Sequence, residues 1–183
     1  MKTVLFLLVS FLVLPNLFAQ GISANGLLPV TSVDLSRYVG TWYEIARLPN
    51  RFQKKCSANV TATYTLLDDG DIKVVNRCKQ DDGEITIAEG LARVAVEDGS
   101  HSKLKVRFAP AFLSFLPFVW GDYWIIDLAT DYSYSLVGEP DRKYLWVLSR
   151  SPVMDEQTLD KILERAKQQG YDTAPLIRTN HSQ

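Results

Sequence analysis

The chain has very few residues of the types on which most enzyme and metal sites depend. It contains two histidines, His101 and His181, and two cysteines. His101 falls in an expected turn and His181 lies in the C-terminal tail, so neither suits a Ser-His-Asp triad. The chain also lacks a Gly-x-Ser-x-Gly elbow, a glycine-rich phosphate loop and a His-Glu-x-x-His zinc motif. We therefore expect no catalytic residue, no metal ligand and no cofactor.

The chain also lacks a strong charge of either sign. Its 20 Lys and Arg residues balance 21 Asp and Glu residues, for a formal net charge of −1. This balance argues against nucleic acid as a partner, because nucleic-acid-binding surfaces are strongly basic. With 183 residues, of which 46% are hydrophobic, the composition is typical of one globular domain.

A long hydrophobic run occurs only at the N-terminus. Lys2 precedes the apolar run Val4 to Leu14, and Ala19 offers a small residue for cleavage. The run has 11 residues, well short of the roughly 20 that span a bilayer as a helix. This layout is typical of a secretory signal peptide. We predict a signal peptide at 1–19 and a single domain at 20–183, with a retained membrane anchor as the alternative.

Between residues 40 and 150 the sequence is a series of short strand-like runs separated by turn residues. The clearest is Lys103 to Phe108, in which Leu104, Val106 and Phe108 alternate with basic residues. Alternation with period two indicates strands with one buried face, and this spacing is typical of an all-β sandwich or barrel. Eight strands are expected, over 41–48, 58–66, 72–77, 84–96, 103–108, 123–128, 132–138 and 144–149.

One helix is expected to cover the first and last strands. Both strands carry apolar residues where alternation predicts polar ones, namely Tyr43, Ile45, Leu145 and Val147. The only long helical pattern follows the last strand, with Leu159, Ile162, Leu163 and Ala166 on one face and Gly170 at its end. A helix over both strands requires them to be neighbours, which closes the sheet into a barrel. An eight-stranded barrel can hold one small ligand.

Three segments, Gly40-Thr41-Trp42, Thr130-Asp131-Tyr132 and the arginine Arg150, resemble the signature motifs of the lipocalin family. The resemblance covers roughly residues 34 to 178. The closest subgroup resembles the bacterial lipocalins and apolipoprotein D. The resemblance implies an up-and-down antiparallel barrel with one C-terminal helix packed outside. It also implies that Arg150 stacks on Trp42 at the closed end of the barrel. The residues that carry these motifs are Gly40, Trp42, Thr130, Asp131, Tyr132 and Arg150.

The two cysteines are expected to form a disulfide. An even number of cysteines in an exported chain favours a bridge. In the implied barrel, Cys56 and Cys78 both fall at the open end on adjacent strands. The alternative is a catalytic thiol, as in the lipocalin-type prostaglandin isomerase.

Carrying the strand alternation inward gives the expected barrel interior. Several aromatic residues with a few polar groups suit a small apolar ligand such as a fatty acid or lysophospholipid. The alternative is a barrel filled by its own side chains. The expected ligand-binding residues are Val60, Tyr64, Val74, Asn76, Leu104, Val106, Phe108, Trp124, Tyr134 and Trp146.

An apolar loop at 109–118 is expected at the open end. Its cluster of Phe112, Leu113, Phe115 and Leu116 would normally be buried. Four interpretations are open: a lid over the mouth, a contact with a membrane surface, a homodimer interface, or packing on Arg51 and Phe52 of another loop.

The resemblance implies binding, storage or transport of a small apolar lipid in the cell envelope, in membrane maintenance under stress. The best-known bacterial members are anchored to the outer membrane through an N-terminal cysteine. The residue directly after the expected cleavage site is not a cysteine. We therefore expect a periplasmic or secreted form, with outer-membrane association left open. The alternatives are an isomerase or lipid-modifying enzyme, with Glu44 as an inward acid, or a structural envelope protein. A Glu44 paired with an Arg or Tyr is the commoner arrangement.

Overall fold

The computed structural model describes residues 26–96 and 98–181, so the expected signal peptide at 1–19 lies outside the described residues. The described chain is dominated by β-strands, with one short and one long helix. In chain order the elements are α1 (Leu35–Tyr38), β1 (Gly40–Arg47), β2 (Ala58–Leu66), β3 (Ile72–Lys79), β4 (Ile85–Val94), β5 (Lys103–Arg107), β6 (Gly121–Leu128), β7 (Tyr134–Gly138), β8 (Leu145–Ser149), α2 (Glu156–Gln168) and β9 (Ile177–Arg178).

Strands β1 to β8 form a closed barrel. Each strand pairs antiparallel with the next one in the chain. The barrel closes because β1 pairs with β2 through Gly40–Tyr43 and with β8 through Tyr43–Arg47. The predicted eight-stranded up-and-down barrel is confirmed.

The ninth strand was not predicted. Strand β9 lies outside the barrel and pairs with Ala46 and Arg47, at the end of β1 that no longer pairs with β2. The backbone N–H of Asn59 donates to the Asn180 carbonyl at 2.8 Å, which joins the same segment to β2. The C-terminal segment therefore fills the gap where β1 and β2 separate near the open end.

Helix α2 packs against the outside of the barrel, as the apolar strand faces predict. It begins after Asp155, whose carboxylate accepts a hydrogen bond from the Thr158 backbone N–H at 2.9 Å. Gly170, with φ of +87°, ends it. Three residues on one helix face, Leu159, Ile162 and Ala166, are buried in a cluster with Ile45, Leu145 and Val147.

One expected helix contact is not formed. Tyr43 was predicted to lie under the helix together with Ile45. The Tyr43 ring instead packs edge-on against His181, with 5.5 Å between ring centroids. The C-terminal tail covers this part of β1, and the sequence pattern gave no sign of it.

The closed end of the barrel is held by Arg150. Its guanidinium lies 3.8 Å from the centroid of the fully buried Trp42 ring, as the lipocalin resemblance implies. It also donates hydrogen bonds of 2.8–3.0 Å to the backbone carbonyl groups of four residues at the start of the domain, Arg37, Tyr38, Val39 and Thr41. Gly40 has φ of +98° and a Cβ there would lie 3.3 Å from Arg150, so the site favours glycine on both counts.

The Thr130-Asp131-Tyr132 turn is tied to α1. The Arg37 guanidinium lies 4.0 Å from the Tyr132 ring centroid and donates to the Thr130 carbonyl at 3.2 Å. The Asp131 carboxylate accepts from the Ser133 backbone N–H at 3.0 Å, which shapes the turn itself. The three lipocalin-like segments therefore meet at one end of the barrel.

We predict that Arg150→Ala lowers the free energy of unfolding by about 3 kcal/mol, because it removes the indole stacking and leaves several carbonyl groups without a donor. Arg178→Ala is the matched control. Arg178 forms an exposed ion pair with Glu156 at 2.6 Å, a type of pair that contributes less than about 1 kcal/mol. Urea unfolding of both variants measures the difference. Equal losses would show that Arg150 does not hold the closed end.

Candidate functional site

The barrel encloses a cavity of about 640 Å³. This volume lies within the range of small-molecule sites, which are mostly apolar with a few polar groups. The cavity is lined mainly by residues of β2 to β6 and β8, together with the loops at the open end of the barrel. It is the site where a small apolar ligand would fit.

Eight of the ten residues expected in the interior line this cavity. They come from β2, β3, β5, β8 and the residue after β5, and they are Val60, Tyr64, Val74, Asn76, Leu104, Val106, Phe108 and Trp146. Leu104 and Val74 are each 2% exposed, whereas Phe108 near the mouth is 43% exposed. The lining therefore changes from tightly packed inside to accessible at the entrance.

The prediction was wrong for Trp124 and Tyr134, which lie outside the barrel. Trp124 packs against the cluster under α2, and Lys103 Nζ lies 4.8 Å from its ring centroid. Tyr134 contacts the same cluster and donates a hydrogen bond of 3.2 Å to Asp127. The neighbouring residue Tyr123 points inward in place of Trp124.

Three tyrosines meet at the inner end of the cavity. The Tyr123 hydroxyl oxygen lies 2.9 Å from that of Tyr38 and 3.0 Å from that of Tyr64. The Tyr38 hydroxyl continues the chain to Ser135 Oγ at 3.0 Å. Tyr38, Tyr64 and Tyr123 all line the cavity. We call these three residues the tyrosine cluster.

The tyrosine cluster stays neutral at physiological pH. Burial raises the pKa of Tyr38 to about 12. Burial also raises the pKa of Tyr64 and of Tyr123 well above the usual value for tyrosine. The cluster therefore offers the cavity uncharged hydroxyl groups that donate and accept hydrogen bonds.

Sequence reasoning identified Tyr64 alone among these three residues. Tyr38 is the last residue of α1, before the first strand, where no alternation can place it. Tyr123 lies on β6, whose two faces are both apolar because α2 covers the outer one. A strand with two apolar faces carries no signal of which face points inward.

The Glu44 carboxylate is buried and hydrogen-bonded to three side chains. It is 3% exposed, and Arg47 donates to one of its carboxylate oxygens at 2.6 Å. Thr179 and Gln53 also donate to this carboxylate, each at 2.5 Å. The arrangement matches the paired alternative for Glu44, in which the carboxylate is held by an arginine.

A polar network continues from Glu44 to the mouth. Gln53 Oε1 accepts a hydrogen bond from the indole N–H of Trp146 at 2.9 Å, which fixes this cavity-lining ring. Arg51 also lines the cavity, and within the described part of the chain it forms no ion pair. The mouth therefore presents the guanidinium group of Arg51, which lies 5.0 Å from the centroid of the Phe52 ring.

The predicted disulfide is confirmed. Cys56 and Cys78 are bonded, with 5.5 Å between their Cα atoms, and both line the cavity. These are the only two cysteines of the chain. The catalytic-thiol alternative is wrong for this structure because both sulfurs are in the bridge.

The loop at 109–118 exposes its phenylalanines at the mouth. Phe112, Phe115 and Phe118 are 74%, 77% and 80% exposed, and we call them the phenylalanine patch. Leu113 and Leu116 are half-buried. A sealed lid would bury these rings, so the exposure disagrees with the lid interpretation.

The base of this loop is firmly held. Two guanidinium groups contact the Trp120 ring, with Arg93 at 4.0 Å and Arg107 at 5.2 Å from its centroid. Its indole N–H donates to the Ser114 carbonyl at 2.8 Å, and Arg107 donates to the Ala109 carbonyl. Two short 3₁₀ turns, Ala111–Leu113 and Pro117–Val119, complete the loop. These contacts hold the phenylalanine patch outward.

The phenylalanine patch does not pack on Arg51 and Phe52. The β1–β2 and β5–β6 loops lie on opposite sides of the barrel mouth, since four strand pairings separate β2 from β6 in either direction. The Phe52 ring contacts Tyr144 instead, with 5.4 Å between centroids. Phe52 and Phe118 both line the cavity, so the two loops frame its entrance.

None of the helices in 26–96 and 98–181 has the length and hydropathy to cross a membrane.

Comparison with known proteins gives consistent matches over most of the chain. The model of the lipocalin-like domain matches residues 33–181. Temperature-induced lipocalin-1 of Arabidopsis thaliana is 43% identical over 154 residues, which cover 84% of this chain and 82% of that protein. The outer membrane lipoprotein Blc of Escherichia coli is 39% identical over 154 residues, with the same two coverages of 84% and 82%.

Two further matches extend the similarity to animal proteins. Rat apolipoprotein D is 36% identical over 135 residues, which cover 69% of this chain and 65% of that protein. The structure of insecticyanin from the tobacco hornworm Manduca sexta aligns with a TM-score of 0.64 at 25% identity, covering 85% of this chain and 84% of the other. The barrel, the stacked Arg150 and these matches agree, and the chain belongs to the lipocalin family, whose members bind small hydrophobic ligands.

Proposed function

We propose that this lipocalin binds, stores or transports a fatty acid or lysophospholipid in the cell envelope. The observation that carries the proposal is the apolar cavity of about 640 Å³, which is open at one end. Burying ten methylenes of an acyl chain would gain roughly 8 kcal/mol. Association costs of about 4 kcal/mol or more leave a moderate affinity.

The basic β1–β2 loop at the mouth favours a lipid with an anionic head. Arg51 lines the entrance, where a carboxylate or phosphate group would stay partly solvated. A charged head at the mouth avoids the large cost of burying an ion in an apolar interior. Both fatty acids and lysophospholipids meet this condition.

The apolar rim of the mouth suits contact with a membrane surface. The phenylalanine patch is exposed beside the entrance, and Phe52 lies across from it. Arg51, Lys54 and Lys55 are exposed on the β1–β2 loop, and basic residues near a bilayer attract anionic lipids. A lipid could then pass between the bilayer and the cavity with little exposure to water.

We predict that Val106→Trp weakens binding of palmitic acid. Val106 lines the cavity and is only half-buried, so the larger ring would occupy ligand volume. Displacing about two methylenes removes about 1.6 kcal/mol, close to a tenfold change in Kd. Tryptophan fluorescence titration and calorimetry would measure it.

Ile87→Trp is the matched control, because Ile87 is 56% exposed and does not line the cavity. It should bind palmitic acid as the unaltered chain does. Failure of the unaltered chain to bind palmitic acid or lysophosphatidylcholine at all would contradict the proposed function.

We also predict that Phe115→Asp reduces association with liposomes of phosphatidylcholine and phosphatidylglycerol by roughly tenfold, because a buried phenylalanine contributes about 1.5–3 kcal/mol. The control is Val153→Asp, since Val153 is 75% exposed on the segment between β8 and α2, away from the 109–118 loop. Co-sedimentation measures both. Unchanged partitioning of the Phe115 variant would rule out membrane contact through this loop, and self-association lost in the same variant would indicate a dimer interface.

A further inference from the structure

The tyrosine cluster crosses the inner end of the cavity from one wall to the other. Tyr64 is on β2 and Tyr123 is on β6, and these strands are opposite each other because four strand pairings separate them in either direction. Their hydroxyl oxygens nevertheless lie 3.0 Å apart. The two side chains therefore reach across the lumen and form a polar floor.

The surroundings of this floor are apolar. Ile72, Val74, Leu104 and Ile125 belong to the same buried cluster and are at most 2% exposed. A ligand chain that enters from the mouth meets hydrocarbon along the walls and hydroxyl groups at the end. Among the residues that the structure describes, the hydroxyl groups of this floor are therefore the polar groups at the inner end of the cavity.

The hydroxyl chain has hydrogen-bonding capacity left over. Four hydroxyls, from Tyr64, Tyr123, Tyr38 and Ser135, share three contacts. Each hydroxyl can donate one hydrogen bond and accept two. Tyr64 is at one end of the chain, so its oxygen keeps an unused donor or an unused acceptor whichever way the protons are oriented.

The floor does not suit an ionised group. Arg150 is the cation whose charge lowers the pKa of Tyr38 and Tyr64, against the larger raising effect of burial. Its guanidinium is already stacked on Trp42 and hydrogen-bonded to four backbone carbonyl groups. A carboxylate at the floor would therefore lose its hydration without gaining an available cation.

We propose that Tyr64 and Tyr123 form a subsite for a neutral hydroxyl or carbonyl group at the buried end of the ligand. The inference rests on the proposed lipid-binding function. With a carboxylate near Arg51 at the mouth, the favoured ligand carries polar groups at both ends. The chemical class that fits is a long-chain fatty acid with a terminal hydroxyl or carbonyl group.

The test compares palmitic acid with ω-hydroxypalmitic acid on the full chain, by calorimetry, and repeats the pair for chain lengths from lauric to stearic acid. In a purely apolar pocket the buried hydroxyl weakens binding about tenfold, because it loses its hydration without a partner. With the subsite, the hydroxy acid of matching length binds at least as tightly as the unsubstituted acid.

Tyr64→Phe separates the subsite from general packing. It should weaken binding of the hydroxy acid about tenfold more than binding of palmitic acid, because only the hydroxyl partner is removed. Tyr43→Phe is the matched control, since the Tyr43 ring packs against His181 outside the barrel and does not line the cavity. Tyr123→Phe is the second variant if Tyr64→Phe does not fold, as judged by circular dichroism.

The outcomes distinguish the subsite from the proposed function. Binding of palmitic acid together with tenfold rejection of the hydroxy acid at every chain length overturns the subsite alone. A hydroxy-acid affinity that is unchanged in the tyrosine variants also overturns it. Binding of neither acid contradicts both the subsite and the proposed function.

Discussion

The stacking of Arg150 on Trp42 joins the last strand of the barrel to the first and helps to position the inner end of the cavity. Arg150 follows β8, Trp42 lies on β1, and the guanidinium also holds the carbonyl groups of α1. The Trp42 indole N–H donates to the Tyr38 carbonyl at 2.8 Å. Tyr38 is therefore fixed from its backbone, and its hydroxyl supports Tyr123 at the cavity floor. One cation thus closes the barrel and orients the polar end of its cavity.

The two ends of the barrel are built for different tasks. The closed end is joined by stacking of Arg150 on Trp42 and by hydrogen bonds from Arg150 to backbone carbonyl groups. The open end carries the disulfide between Cys56 and Cys78, while β9 fills the gap between β1 and β2. These constraints hold the wall of the mouth and leave the phenylalanine patch exposed at its rim. Such a division suits a carrier, whose ligand enters at one end and stops at the other.

The sequence was sufficient for most of the fold because strand alternation and the helix pattern impose strong constraints. Apolar outer faces on β1 and β8 required a covering helix, and that helix required neighbouring strands. Alternation failed on β6 and β7, where both faces are buried and Trp124 was wrongly expected inside. A register shift between Ile125 and Asp127 further changes the phase of β6. Tyr38 and β9 could not be found, since both depend on tertiary contacts made outside any regular pattern.

Native mass spectrometry of the protein purified from its own host would show whether the barrel carries a lipid. Lipid extraction of any adduct then identifies the ligand class. We expect a fatty acid or lysophospholipid in near-stoichiometric amount, bound in the cavity of about 640 Å³. An empty barrel that also fails to take up added fatty acids would contradict the account.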